Sequence, residues 1–399
     1  MNLFTNISPA PSDPILGLNE AFNQDMRLNK INLGVGVYQN NQGVLPVFAA
    51  VKQAITNRTC ANLPCSYLPI DGLSSYNILV QKLMFGENSS VLQQKRAVTV
   101  QALGGTGALK IGADFLRHNL NINNVAISNP SWENHQAIFA RAGFNVNFYR
   151  YYDDATKSLD LNGMLEDLAN LPKRSVIILH ACCHNPTGVD LTLEQFKQII
   201  SVITANDHIP FIDMAYQGFA EDLNSDASFV RYLADTGMEF LLANSFSKSF
   251  SLYGERVGAI TLVCTNEASA ETVKTQIKRT IRTIYSSPPT FGAAIVADVL
   301  ANPDLCRLWQ DELDSMRTRI VNMRAQLVAK LSEMNAGDFS FITKQRGMFS
   351  YSGLTTKQVI RLRDEFAIYA VESGRICLAA LNTNNIDTVA NAIKQVTSH

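Results

Sequence analysis

The sequence predicts an α/β protein with a large domain, built on a mainly parallel mixed sheet covered by helices, and a smaller α+β domain. Three observations carry this expectation. The chain has 399 residues, more than a single core usually serves. Between residues 97 and 265, short apolar β-rich runs alternate with segments of helical period, which is the pattern of a parallel sheet with both faces covered. Residues able to do chemistry fall just beyond the ends of those runs, where such sheets gather their ligands.

The expected strands are Ala97-Val-Thr-Val-Gln101, Val125-Ala-Ile-Ser128, Val146-Asn-Phe-Tyr149, Ser175-Val-Ile-Ile-Leu-His180, Pro210-Phe-Ile-Asp213, Phe240-Leu-Leu-Ala-Asn244 and Val257-Gly-Ala-Ile-Thr-Leu-Val263. Thr192-Leu-Glu-Gln195 reads as a capping box, and the apolar positions Phe196, Ile199, Ile200 and Ile203 that follow form one helical face. A long helix should start after Asn302-Pro303, with apolar residues recurring from Leu305 to Leu331, and end near Gly337. Downstream, a helix over Lys357 to Tyr369 and short strands near Phe349 and Ile376 make a compact unit that the N-terminal stretch joins. The expected bounds are therefore residues 1–45 for an N-terminal arm and part of the small domain, 46–310 for the large domain, and 311–399 for the rest of the small one.

Apolar residues make up 46% of the chain and charged residues 17%, with a formal net charge of -1, so there is no electrostatic footprint for nucleic acid. Small molecules are the expected partners. The first residues lack a basic or apolar leader, and no later run approaches a bilayer span, so a cytoplasmic protein with no membrane association is expected. Seven cysteines, an odd number without a CxxC, make no disulfide framework. His180-Ala-Cys-Cys-His184 is the nearest approach to a metal site. Adjacent cysteines on an extended segment face opposite ways and no second cluster completes a tetrahedron, so no metal is assigned.

Lys248 is the residue most suggestive of chemistry. It lies in Asn244-Ser-Phe-Ser-Lys-Ser-Phe-Ser-Leu-Tyr-Gly-Glu-Arg256, immediately after a buried strand, and is a candidate Schiff-base lysine. Leu103-Gly-Gly-Thr-Gly-Ala-Leu-Lys110 joins a strand to a helix, where free N–H groups can cradle a phosphate; an ordinary glycine turn accounts for the same residues. It is neither a dinucleotide fingerprint nor a P-loop. Asp213 ends an apolar strand, so its carboxylate needs a partner, and a pyridinium N–H would serve; a helix N-cap is the alternative. Asn185 precedes a proline that holds it extended, able to aim its amide into a cleft. His180 and His184 read as satisfied core histidines and receive no primary role.

Taken together, Gly105, Thr106, Asn185, Asp213, Tyr216, Lys248 and Arg256 follow strand ends in one sheet. With Asn129-Pro-Ser-Trp-Glu-Asn-His135, Cys182-Cys-His-Asn-Pro-Thr-Gly188, Ala215-Tyr-Gln-Gly-Phe219 and Gly347-Met-Phe-Ser350, the chain resembles the class I aminotransferases, fold-type I pyridoxal phosphate enzymes of the aspartate and aromatic amino acid group. The resemblance runs from Asp13 to the C-terminus. It implies pyridoxal 5′-phosphate as cofactor, bound as a Schiff base to Lys248, which also moves the substrate proton. Asp213 would keep the pyridine nitrogen protonated, and Tyr216 and Asn185 would bond the phenolate oxygen. Gly105, Thr106, Ser245 and Arg256 would grip the phosphate, and Trp132 would stack on the ring. Arg375 would take the substrate α-carboxylate, with Gly36, Trp132 and Asn185 also lining the substrate site. Arg282 and Tyr67 would reach a neighbouring subunit's site, Arg282 to bind a distal carboxylate and Tyr67 to contact phosphate, which implies a homodimer.

The implied reaction is ping-pong amino-group exchange between aromatic amino acids (Tyr, Phe) and/or aspartate and 2-oxoglutarate. Ser66-Tyr-Leu-Pro-Ile-Asp-Gly-Leu73 and Arg346-Gly-Met-Phe-Ser-Tyr351 look like the bacterial aromatic branch, whereas Asn32-Leu-Gly-Val-Gly-Val-Tyr38 leans toward an aspartate-specialised enzyme. A cofactor-binding regulator and a lyase on the same fold are the remaining alternatives. The regulator requires an N-terminal DNA-binding domain, and only a short non-basic arm precedes the match.

Overall fold

The computed structural model describes residues 3–5, 7–9, 15–64 and 66–398; Asp13, where the family resemblance begins, and Cys65 lie outside the described residues. Contacts divide the chain into two units. The larger comprises Leu45–Val321 and Lys344–Gly347, and the smaller Met1–Val44, Asn322–Thr343 and Met348–His399.

Seven strands form the sheet of the larger unit among the described residues: β1 (Ala97–Leu103), β2 (Asn124–Asn129), β3 (Asn145–Arg150), β4 (Val176–His180), β5 (Ile209–Met214), β6 (Phe240–Ser245) and β7 (Val257–Val263). Their order is β1-β7-β6-β5-β4-β2-β3. The neighbours from β6 through β3 are parallel, while β7 runs antiparallel to both β1 and β6, so the sheet is mainly parallel and mixed, as expected. The runs of Val, Ile and Leu in β4 to β7 have both faces covered, and almost every residue in them is buried.

Five helices matter for placing the site: α1 (Ser74–Phe85), α2 (Gly104–Asn119), α3 (Glu133–Arg141), α4 (Leu193–Ala205) and α5 (Glu267–Ile284). The core under one face of the sheet joins Ala108, Leu109, Ile111 and Phe115 of α2 to Phe139 of α3, Phe211 of β5 and Ile260 of β7. Burial of each of the leucine, isoleucine and phenylalanine side chains stabilises the fold by about 1.5–3 kcal/mol before entropy is counted. The capping box of α4 is formed, with Gln195 N–H donating to Thr192 Oγ1 at 3.2 Å and Thr192 N–H to Gln195 Oε1 at 2.8 Å. Phe196, Ile199, Ile200 and Ile203 face the core, as the spacing required. The long helix spans Pro303–Glu333 and contributes residues to both units.

In the smaller unit, Ile31–Asn32 pairs in parallel with Ile368–Tyr369, and Phe349–Tyr351 pairs antiparallel with Arg375–Cys377. The helix expected over Lys357 to Tyr369 is shorter, Thr356–Phe366. Ala367 adopts a left-handed conformation that ends it, and the next two residues, Ile368 and Tyr369, are buried in the strand paired with Ile31–Asn32. Tertiary pairing of two good strand formers overrides the helical spacing there.

Thr192→Ala removes the α4 cap and should cost about 1 kcal/mol. A urea transition with a lower midpoint and an unchanged m value would show it; an unchanged midpoint would mean the cap contributes nothing.

Candidate active site

At the end of the sheet where the parallel strands finish, three chain segments meet around the start of α2. Gly104 takes a φ of +67°, which a residue with a side chain rarely adopts, so the strand turns at once into the helix. A Cβ on Gly104 would lie 2.5 Å from Arg256 Nη2, and one on Gly105 would lie 3.3 Å from Ser245 Cβ. Gly258 completes the approach, because a Cβ there would strike the Gly104 carbonyl carbon at 2.5 Å. The first turn of α2, with Gly105 and Thr106, thus lies against the end of β6 and the Arg256 side chain. Its free N–H groups and the positive end of the helix dipole make an anion cradle. Ser245 Oγ bonds Ser247 Oγ at 3.1 Å, and Arg256 Nη1 donates to Ser247 Oγ at 3.2 Å.

Asp213 is buried in β5 and is not a helix N-cap. Its Oδ2 lies 2.8 Å from His135 Nε2, while Ser131 Oγ lies 2.9 Å from His135 Nδ1. Burial alone would raise the Asp213 pKa. The His135 hydrogen bond and the charges of His135, His180 and Lys248 together outweigh it and hold the carboxyl below its usual range. Trp132 precedes α3 and packs edge-on against His135 at 5.3 Å between ring centroids.

Behind this pair is a file of rings, His180 half-buried and the others buried. His135 and His180 are 5.1 Å apart, His180 and His184 are 4.5 Å apart, and Tyr151 stacks on His184 at 3.9 Å. His184 is held at both nitrogens, by Ser128 Oγ at 2.9 Å and Thr187 Oγ1 at 2.7 Å. Burial lowers the His180 pKa to about 3, aided by repulsion from His135, and burial likewise lowers His184. Among the described residues, the group of donors close enough to hold a metal is His135, His180 and Asp213, not the adjacent cysteines. The His135–Asp213 bond already engages two of the three.

Asn185 is buried in the loop after β4. Asp190 fixes the residues before it, accepting from Cys183 N–H at 2.7 Å and His184 N–H at 2.8 Å. Lys248 lies in the turn after β6, and its Nζ is 4.8 Å from the centroid of the buried Tyr216 ring. Hence Gly105, Thr106, Ser245 and Arg256 form one cluster, and Lys248 and Tyr216 another. Asp213 is joined by His135 and Trp132. Tyr67 and Arg282 belong to the same unit but are exposed on its surface, Tyr67 at 95%; Arg282 Nη1 donates to Ser286 Oγ.

Arg375 and Gly36 lie in the smaller unit. Arg375 is buried, its guanidinium carbon 4.3 Å from the Phe349 ring centroid and its Nη2 donating to Gly34 O at 2.7 Å. A Cβ on Gly36 would fall 2.6 Å from Phe349 Cζ, so the ring fills that space. Arg324, also buried, holds the Phe349 carbonyl at 3.1 Å.

Three residues carry this arrangement without having been assigned a role from the sequence: His135, Ser247 and Phe349. The Ser131/His135 spacing of four on a helix start was a usable signal for the first. Ser247 becomes visible only through its bonds to Ser245 and Arg256, and Phe349 only through its contact with Arg375 across a strand pair.

A family model, aminotransferase class I and II, matches residues 29–393. The chain belongs to the class I and II aminotransferases. This aminotransferase is 55% identical to an aspartate aminotransferase of Pseudomonas aeruginosa over 397 residues, covering 99% of this chain and 100% of the relative. It is 47% identical to the aromatic-amino-acid aminotransferase of Escherichia coli over 396 residues, with 99% and 100% covered. A crystal structure of an aromatic-amino-acid aminotransferase from Burkholderia pseudomallei, covalently bound to pyridoxal phosphate, is 55% identical with a TM-score of 0.97 over the whole of both chains.

Because its pKa is lowered in the folded state, His180 stays neutral while the unfolded chain protonates near pH 6.5. Stability is therefore fully present above that pH and is lost as the pH falls from about 6.5 toward about 3. His180→Asn in this aminotransferase should flatten the slope of unfolding free energy in that window. An unchanged slope would mean that other groups set it.

Proposed function

We propose that the chain exchanges amino groups between aromatic amino acids and/or aspartate and 2-oxoglutarate, using pyridoxal 5′-phosphate in a ping-pong cycle. The observation that carries this reading is the buried Asp213–His135 pair in one unit with Lys248 and the phosphate cradle. The donor set suits a phosphorylated pyridine aldehyde. Gly105 and Thr106 N–H groups, Ser245 and Arg256 match the phosphate; a carboxylate held charged matches a pyridinium N–H; a lysine amine matches the aldehyde. The aspartate and aromatic names of the relatives support both donor classes.

When bound, the cofactor supplies an acceptor for the electron pair left on the substrate α-carbon. The chain supplies the rest. Lys248 Nζ would take the substrate α-proton and give it back, a general acid–base transfer typically worth about 10²–10⁴ in rate. Asp213, held ionised, would accept the pyridinium N–H, while His135 fixes its orientation. Tyr216 and Asn185 would hydrogen-bond the phenolate oxygen, and Trp132 would cover the ring. Arg375 receives the α-carboxylate in a fork-to-fork contact beside Gly36. Arg282 and Tyr67 act in the neighbouring subunit's site, Arg282 on a distal carboxylate and Tyr67 on phosphate, so the active unit is a homodimer, working in the cytoplasm. The exposure of Tyr67 agrees with burial against a partner.

A donor panel tests the reading: phenylalanine, tyrosine or aspartate with 2-oxoglutarate should yield glutamate. Glutamate from none of them overturns it; glutamate from aspartate alone selects the aspartate-specialised reading. Lys248→Ala should lower kcat by about 10⁴-fold or more. Phe349→Leu removes the ring against which Arg375 stacks, worth about 1 kcal/mol, and should raise KM about fivefold for every donor alike with kcat little changed. A change confined to one donor would mean that the ring meets the side chain instead.

A further inference from the structure

β1 is an edge strand of the sheet, paired on one side only, with β7. An unpaired strand edge presents backbone N–H and C=O groups that need other partners. At Gln101, close to the end of β1, two loops supply them. Gln101 N–H donates to Asp71 O at 3.0 Å, and Tyr285 Oη donates to Gln101 O at 3.0 Å. The side chain, 2% exposed, repeats the pattern. Its Oε1 accepts from Leu73 N–H at 3.2 Å, and its Nε2 donates to Pro289 O at 2.6 Å. One buried residue thus grips both loops, with a backbone bond and a side-chain bond to each.

Each loop carries a residue assigned above to the neighbouring subunit's site. Tyr67 shortly precedes Asp71, and Arg282 shortly precedes Tyr285. Arg282 Nη1 donates to Ser286 Oγ, and Ser286 lies between Tyr285 and Pro289, the two points at which Gln101 holds that loop. Gly72 makes the grip on the other loop close: its φ is +91°, and a Cβ there would lie 2.3 Å from Gln101 Cβ. Other links between the loops are weaker. Asp71 and Lys278 of α5 form a solvent-facing ion pair at 3.3 Å, and Thr290 Oγ1 reaches Ser66 O only at 3.5 Å.

We propose that Gln101 is the positioning residue for both contacts made across the dimer, setting Arg282 against the substrate's distal carboxylate and Tyr67 against the cofactor phosphate. This rests on the reading of Arg282 and Tyr67 given under the proposed function. An amide suits the task because it accepts from an N–H and donates to a C=O at once; methionine, of similar length, does neither, and an ionised glutamate only accepts. The two effects are separable, since Oε1 serves the Tyr67 loop and Nε2 the Arg282 loop. β1 runs on directly into Gly104, so the contacts offered to the partner are fixed to the strand that opens this subunit's own anion cradle.

The test compares half-reactions of the full-length holoenzyme with aspartate and with alanine, which lacks only the distal carboxylate, and measures the dissociation constant of pyridoxal 5′-phosphate. Gln101→Met should lower the aspartate-to-alanine ratio of half-reaction efficiencies about fivefold and weaken cofactor binding about fivefold. Gln101→Glu keeps the acceptor for Leu73 N–H, so it should lower the ratio as much while cofactor binding stays within about twofold of wild type. Tyr285→Phe removes only the bond to the Gln101 carbonyl and should lower the ratio about threefold, which decides the matter even if the Gln101 variants fail to fold. A general loss of structure would slow both substrates alike and leave the ratio where it was. Arg282→Ala separates the two levels of inference. If it lowers the ratio and neither Gln101→Met nor Tyr285→Phe does, the proposal is overturned and the reading of Arg282 stands. If Arg282→Ala itself leaves the ratio unchanged, that reading fails and the proposal falls with it.

Discussion

A carboxylate at the end of a buried strand has to be charged and partnered or else neutral, and this choice organises the larger unit. Asp213 is deep enough that burial by itself would push its proton back on. His135 prevents this at 2.8 Å, and it is placed by the first turn of α3 and by Ser131. Removing the histidine would leave an ionisable group in the sheet with too little compensation, a defect that usually costs several kcal/mol. Behind it, burial lowers the pKa of His180 and His184.

The second constraint is distance between backbones. An anion cradle needs a helix start, a strand end and a guanidinium to converge, and side chains on all three would hold them apart. The strand β7 meets this by running antiparallel between β1 and β6, which sets Gly258 directly beside the Gly104 turn and brings Arg256, just before β7, to its mouth. A parallel strand in that position would have put its other end there. The single reversal in the sheet is thus tied to where an anion cradle can be.

Much of this was legible in the sequence, for identifiable reasons. Strands β4 to β7 were visible because strands buried on both faces are near-continuous apolar runs, and α4 because its capping box and apolar face agree. Asp213 was legible as a partnered carboxylate because nothing else polar interrupts its strand. The partner was not: His135 is 78 residues away, and only packing of α3 on the sheet brings it there. Phe349 was hidden for the same reason, since its contact with Arg375 is made across a short antiparallel pair. The helix expected to reach Tyr369 stopped at Phe366 because Ile368 and Tyr369 found a strand partner 337 residues earlier in the chain, in Ile31 and Asn32, which no local window contains.

The Arg375 clamp bears on how selective the enzyme can be. Phe349, Gly34 and Arg324 together fix one guanidinium by a stacked ring, a carbonyl and a buttressed backbone. On the proposed reading that guanidinium recognises the α-carboxylate, which every amino acid carries, so this binding energy is common to all donors and cannot discriminate among them. Selection must come from whatever meets the side chain, and a hydrophobic contact separates substrates by only about 1–3 kcal/mol per methylene.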